Sequence, residues 1–207
     1  MSKLENLKAE FRVKDLLQDT SKIVFVLESP HKQEVLHSAP VAGLSGKTMT
    51  RKLFPDEDLP LGLLLKNFIT NKDGSDKLSK IGIMNICPVP MQSTAYPENV
   101  QEIYMDYLSM LEKIRTLQGK KKRTDSDLEK VLQEILNDFA NRVEDLNNKD
   151  VLFVPCGNFA RFMFKEAMSN NPEVRYLDKI PHPSYNSWGQ KRYQDIISVL
   201  MNEFDKI

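Results

Sequence analysis

Cysteine is scarce in this chain of 207 residues: there are two, Cys87 and Cys156, each inside or at the end of an apolar run. Two thiols placed that way build neither a disulfide framework nor a four-ligand structural metal site, so no metal and no cofactor are expected. Excess charge is also missing, because 29 basic residues face 29 acidic ones. The broad positive field of many nucleic-acid binders is therefore excluded, although a local basic groove is compatible with neutrality. No apolar stretch approaches the roughly 20 residues that span a bilayer, so no membrane is expected as a partner. The opening Met1-Ser2-Lys3-Leu4-Glu5-Asn6 lacks the apolar core of a signal peptide, and the expected location is cytoplasmic. Internal repeats and low-complexity tracts are absent too. What is there, 41% hydrophobic and 28% charged residues, is the composition of an ordinary globular protein, and the length suits a single domain over residues 1–207.

Hydrophobic periodicity supplies the elements. Leu4, Leu7, Phe11, Leu16 and Leu17 recur at helical spacing and predict a helix over residues 3–18. Short apolar runs follow at residues 22–27, 81–86 and 151–154, and each stops shortly before a proline (Pro30, Pro88, Pro155). They read as buried parallel strands. A fourth candidate, Val174-Arg175-Tyr176-Leu177, leads into Ile180-Pro181-His182-Pro183, where two prolines prevent continuation in a sheet. Helical patterns at about 60–69, 98–118, 126–147, 158–169 and 190–205 separate or follow these runs. The alternation predicts an α/β fold, a three-layer sandwich around a central, mostly parallel four-stranded sheet. The charged helices between 98 and 147 are expected as an inserted helical hairpin. Its basic turn, residues 118–125, reads as a solvated connector, with a phosphate contact as the alternative.

Ligands of open α/β sheets bind beyond the carboxyl ends of the strands. Here those ends carry Glu28-Ser29-Pro30-His31, Asn85, Cys156-Gly157-Asn158 and His182-Pro183-Ser184. The first is followed by Glu34 and by the small-residue stretch Ala39-Pro40-Val41-Ala42-Gly43-Leu44-Ser45-Gly46, which allows close backbone approach to a planar ligand. Each group also has a structural reading: Glu28 as a strand-end carboxylate satisfied by backbone donors, Asn85 as a turn former, His182 as a buried loop histidine. Trp188 serves either as a stacking or wedging surface with Tyr185 and Tyr193 or as a packing anchor. Lys191 and Arg192 meet either phosphates or water.

Taken together the segments resemble the uracil-DNA glycosylase superfamily, and most closely its branch with a Gly-Glu-Ala-Pro-Gly motif. Glu28 and Pro30 fall on the Glu and Pro of that motif, Glu34 on its following glutamate, and Pro40, Gly43 and Gly46 on the loop that walls the base. Asn85 resembles the strand-end asparagine that hydrogen-bonds the uracil edge, and His182-Pro183-Ser184 resembles the His-Pro-Ser loop whose histidine stabilises charge on the departing base. Cys156-Gly157-Asn158-Phe159-Ala160 matches a small-residue turn before a helix. The resemblance implies a protein that hydrolyses the N-glycosidic bond of uracil or another damaged base in single- or double-stranded DNA, with the base flipped from the stack. It implies catalysis by Glu28, Ser29, Glu34 and His182, base binding by His31, Val41 and Asn85, and DNA contacts from Ser184, Trp188, Lys191 and Arg192.

Two positions depart from the pattern. Ser29 stands where the best-known members carry a water-orienting aspartate, and Val41 where the resembled loop has a stacking phenylalanine, a platform worth roughly 1–3 kcal/mol per base. The branch's iron-sulfur cluster needs four cysteines, and this chain has two. The runner-up reading is therefore a non-catalytic nucleic-acid or nucleobase-binding module on the same fold. A P-loop in Gly43-Leu44-Ser45-Gly46-Lys47-Thr48 lacks its first glycine, since position 41 is valine. A hydrolase built on Cys156 and His182 competes with Cys156 as a small core residue.

Overall fold

A computed structural model describes residues 2–72, 74–117, 125–144, 146 and 150–207. Four parallel strands form one sheet in the order β2-β1-β3-β4: β1 (Ile23–Leu27), β2 (Ile81–Asn85), β3 (Leu152–Pro155) and β4 (Arg175–Tyr176). The first three are buried along their whole length because helices cover both faces. Period-2 alternation divides β1 between two cores. Val24 and Val26 pack with α1 (Lys3–Phe11), α5 (Glu98–Ile103), α6 (Met105–Thr116), α7 (Ser126–Glu144) and α8 (Asn158–Ala167). Ile23, Phe25 and Leu27 pack with α3 (Leu44–Leu53), α4 (Leu61–Asn71) and α9 (Gln194–Phe204). The molecule is a three-layer α/β sandwich with an all-parallel sheet. No helix among the described residues is long and apolar enough to cross a membrane.

Several elements differ from expectation. The first helix ends at Phe11; the chain then runs extended, and Leu16 exchanges two 2.8 Å backbone hydrogen bonds with Ile83 on the outer edge of β2. Backbone pairing to an unsatisfied sheet edge there overrides the helical spacing of Leu16 and Leu17. The helix predicted over 98–118 breaks at Tyr104 (φ −108°, ψ 17°) into α5 and α6. The helices α6 and α7, expected as an inserted hairpin, bury Leu108, Leu111, Ile114, Leu132, Ile135 and Phe139 and form part of one sandwich layer. Their basic connection, apart from Asp125, lies outside the described residues. Two helices fall in stretches read as loop: α2 (Lys32–His37) and α3, whose N-cap is Gly43. The Gly-Leu-Ser-Gly-Lys-Thr segment is thus the start of a helix entered from a loop, not a strand-to-helix phosphate cradle.

Strand order sets the site. The chain passes from β1 to β2 on one side and returns to β3 on the other, so a topological switch lies beyond the carboxyl ends of β1 and β3. Glu28 and Cys156 leave the sheet there, and Gly157 (φ 93°) donates its amide to the Ile180 carbonyl at 2.8 Å. A Cβ on Gly157 would come within 2.8 Å of the His182 Cβ. Only glycine lets the β3–α8 turn lie this close against the histidine loop.

Candidate active site

A cleft of about 640 Å³ opens at this switch point and is lined by residues from β1, α2, α3, α6 and the 181–185 loop. It falls within the size range of small-ligand sites. Glu28, Ser29, His31, Glu34, Val41, His182 and Ser184 all line it, so seven of the predicted site residues meet in one place. Asn85 reaches the cleft through Glu34, against which it lies. Trp188 does not take part. It is fully buried, donates its indole N–H to the Pro181 carbonyl at 2.9 Å and packs on Phe25, so it anchors the histidine loop from beneath and presents no surface to DNA. The exposed aromatic of this loop is Tyr185, 93% exposed and held at φ 53° on the cleft rim. Lys191 and Arg192 are exposed on a 3₁₀ turn beside the loop, with Arg192 stacked on Tyr193.

Glu34 organises one wall. One carboxylate oxygen accepts the His31 amide at 2.7 Å and the other accepts the Val41 amide at 2.6 Å. Burial, reinforced by the nearby Glu28 charge, nevertheless pushes its carboxyl up to about 7. The loop it holds is clamped elsewhere as well. A Cβ on Gly46 of α3 would overlap the Val41 carbonyl, and one on Gly62 of α4 would overlap the Pro40 carbonyl. Val41 itself sits at φ 45°, a backbone region that a β-branched residue avoids. The local conformation is set by these contacts against the residue's own preference.

Across the cleft, the Ser184 amide donates to His182 Nδ1 at 3.2 Å, and the Ser184 hydroxyl lies 2.9 Å from the same nitrogen. A backbone N–H can only donate, so Nδ1 is an acceptor and Nε2 carries the proton of the neutral ring. Burial, together with the positive charge of Arg115, lowers the pKa of His182. The ring is therefore neutral at physiological pH and acts as an N–H donor. Ser187 donates its hydroxyl to the His182 carbonyl and fixes the backbone of the loop.

Sequence reasoning missed two residues of the site. Arg115, near the end of α6, pairs through Nε with Glu28. With the Gln92 amide oriented as its neighbours require, its oxygen accepts from Nη1 and Nη2 of Arg115 at 2.8 Å each, and its nitrogen donates to His31 Nε2 at 3.1 Å. Glu28, Arg115, Gln92 and His31 thus form one hydrogen-bonded chain along the cleft. The signal for Arg115 was its place beside the buried positions Leu108, Leu111 and Ile114 of an amphipathic helix; nothing in the local sequence marks Gln92.

Asn85 is the anomaly. It is 1% exposed, and neither amide atom makes a hydrogen bond of good geometry, although the amide lies close enough to the Glu34 carboxylate to lower that group's pKa as a donor does. Leaving a buried polar group unmet costs about 1–3 kcal/mol. Its backbone carbonyl and that of Ile86, by contrast, accept from Nη2 of the largely buried Arg142 at 2.9 and 2.7 Å.

Cysteine chemistry does not fit here. Burial raises the pKa of Cys156 far above neutrality and pushes Cys87 up to about 12, so neither offers a thiolate, and they lie on different strand ends where no iron-sulfur ligand set is completed. Among the described residues no group of three or more His, Cys, Asp or Glu is placed to hold a metal. Compared with models of known protein families and with curated proteins, the sequence matches none.

Proposed function

We propose that this cleft takes up a flipped base from DNA and hydrolyses its N-glycosidic bond, the base being uracil or a damaged base with a similar edge. The observation that carries the reading is the Asn85 amide, without a well-formed hydrogen bond, behind the protonatable Glu34 carboxyl of a cleft that also holds the neutral N–H donor of His182. An amide offers one donor face and one acceptor face, the pattern of a uracil-type edge. In the reaction the C1′–N bond breaks and its electron pair passes to the base. The oxygen of water bonds to C1′, and its proton passes to a carboxylate. His182 Nε2–H is suited to stabilise the base oxygen as charge develops there. Glu28 is the carboxylate suited to steer the water, with Ser29 beside it.

A second reading, a non-catalytic nucleobase- or nucleic-acid-binding module, is favoured by how fully the carboxylates are engaged. Glu28 is paired with Arg115, both oxygens of Glu34 hold backbone amides, and Ser29 carries no charge. One experiment separates the two. Single- and double-stranded oligonucleotides carrying uracil, hypoxanthine or xanthine are incubated with the protein and then treated with alkali. Strand scission is expected on at least one of them, with His182→Ala lowering its rate about 10²–10³-fold. Binding without scission on any substrate establishes the module instead.

A further inference from the structure

A second groove of about 290 Å³ leaves the cleft at His182, Ser184 and Tyr185, which line both. Its far walls are the first turn of α8, the left-handed residue Lys179 (φ 65°) and the turn from Gln190 to Tyr193. Three cations line it, Arg161, Lys179 and Arg192, and no carboxylate does. In a chain whose 29 basic and 29 acidic residues cancel, three cations on one wall are a local concentration of sign, offset in part by Asp178, which does not line the groove and is shared between Arg161 and Lys165.

The two arginines are held in place. Arg161 donates to Asn158 Oδ1 at 3.2 Å and lies 3.8 Å from Asp178, and Arg192 donates to Gln190 Oε1 at 2.9 Å while stacking on Tyr193. Guanidinium groups anchored by one edge keep their remaining N–H groups for an anion. The N-cap of α8 is Gly157, which has no side chain to cap the helix, so the positive pole of a ten-residue helix adds to the same wall.

We infer that this groove binds backbone phosphates of the nucleic-acid strand running out of the cleft, with Arg161, Lys179 and Arg192 as the phosphate contacts. The assignment rests on the reading of the cleft as a nucleic-acid site and adds the path of the strand: it leaves past His182, over the start of α8. The contacts are made to phosphates and carry no base preference.

The test measures binding of a fluorescent uracil-containing single strand as a function of salt, for the protein, for Arg161→Gln/Arg192→Ala, and for Lys22→Ala/Lys206→Ala at the opposite, amino end of the sheet. Each phosphate contact on a single strand contributes roughly 0.7 to the slope of log affinity against log salt. The groove variant is expected to lose about 1–1.5 of that slope, with affinity down about 10–100-fold at low salt, whereas the control keeps the slope of the parent protein. Loss of slope accompanied by no scission supports the groove and assigns the cleft to the module reading. An unchanged slope in a folded groove variant, when the parent protein binds, overturns the groove alone. No binding by the parent protein at low salt overturns the groove and the nucleic-acid reading together.

Discussion

Two arginines on the same side of the sheet, both reaching strand ends, are treated in opposite ways. Arg142 of α7 is largely buried and is engaged through all three nitrogens, Nη1 on the two oxygens of Asp15, Nε on Asp138 and Nη2 on the Asn85 and Ile86 carbonyls. Lys8 closes the network on Asp138 at 2.6 Å. Arg115 of α6 is 38% exposed at the cleft, tied to Glu28 and Gln92, and its surroundings include the Glu34 carboxyl near its titration point and, behind it, the Asn85 amide without a well-formed hydrogen bond. A saturated network holds the end of β2 rigid. An unsaturated one beside it is where a ligand finds capacity.

The contrast is broken most directly at Arg142. Arg142→Ala is expected to cost about 3–5 kcal/mol of stability, since it strands the Asp15 carboxylate and two strand-end carbonyls and leaves Asp138 with Lys8 alone; urea unfolding measures it, and a loss below about 1 kcal/mol would remove the structural role. The next largest effect is the pH dependence carried by Glu34. Its folded carboxyl holds a proton more tightly than the unfolded one, so its contribution is complete below the ordinary 4.5 and is lost as pH rises towards 7. The stability difference between the parent protein and Glu34→Gln should therefore shift by up to about 3 kcal/mol across that window, and parallel curves would show that Glu34 titrates normally. Asn85→Leu removes a buried amide without a well-formed hydrogen bond at similar volume. It is expected to raise stability by about 1 kcal/mol while abolishing base binding; a destabilised variant would mean that the amide is satisfied. Smallest is Arg115→Ala, at a pair exposed enough to change stability by less than about 1 kcal/mol. Loss of its charge should raise the pKa of His182, read by NMR titration of the ring.

The sheet was legible because buried parallel strands are short apolar runs, and prolines after or near their ends marked where Glu28, Asn85 and His182 would emerge. That Glu28 and His182 share one cleft followed from strand polarity, whereas Asn85 lies behind Glu34 and does not line it. The roles within the site were less legible, for reasons of distance in sequence. Glu34 was read as part of the chemistry, yet its oxygens hold the backbone of His31 and Val41, contacts that depend on α2 forming in a stretch read as loop. Trp188 was read from its place after a His-Pro-Ser segment, and a linear sequence does not say which way a large ring turns. Arg142 and Arg115, both on charged helices, look alike in the sequence; burial by partners more than 50 residues away separates them.

Val41 carries a last consequence. A valine kept at a positive φ, pressed between Gly46 and Gly62 and tied to Glu34, has already given up its conformational choice before any ligand arrives. Binding then demands no further ordering of this wall, and the entropy usually lost when a loop closes over a guest has been spent in folding. The wall is a template: selectivity at this end of the cleft comes from rejecting shapes that do not match it, and enlarging the range of guests would require loosening the glycine contacts more than altering the polar groups.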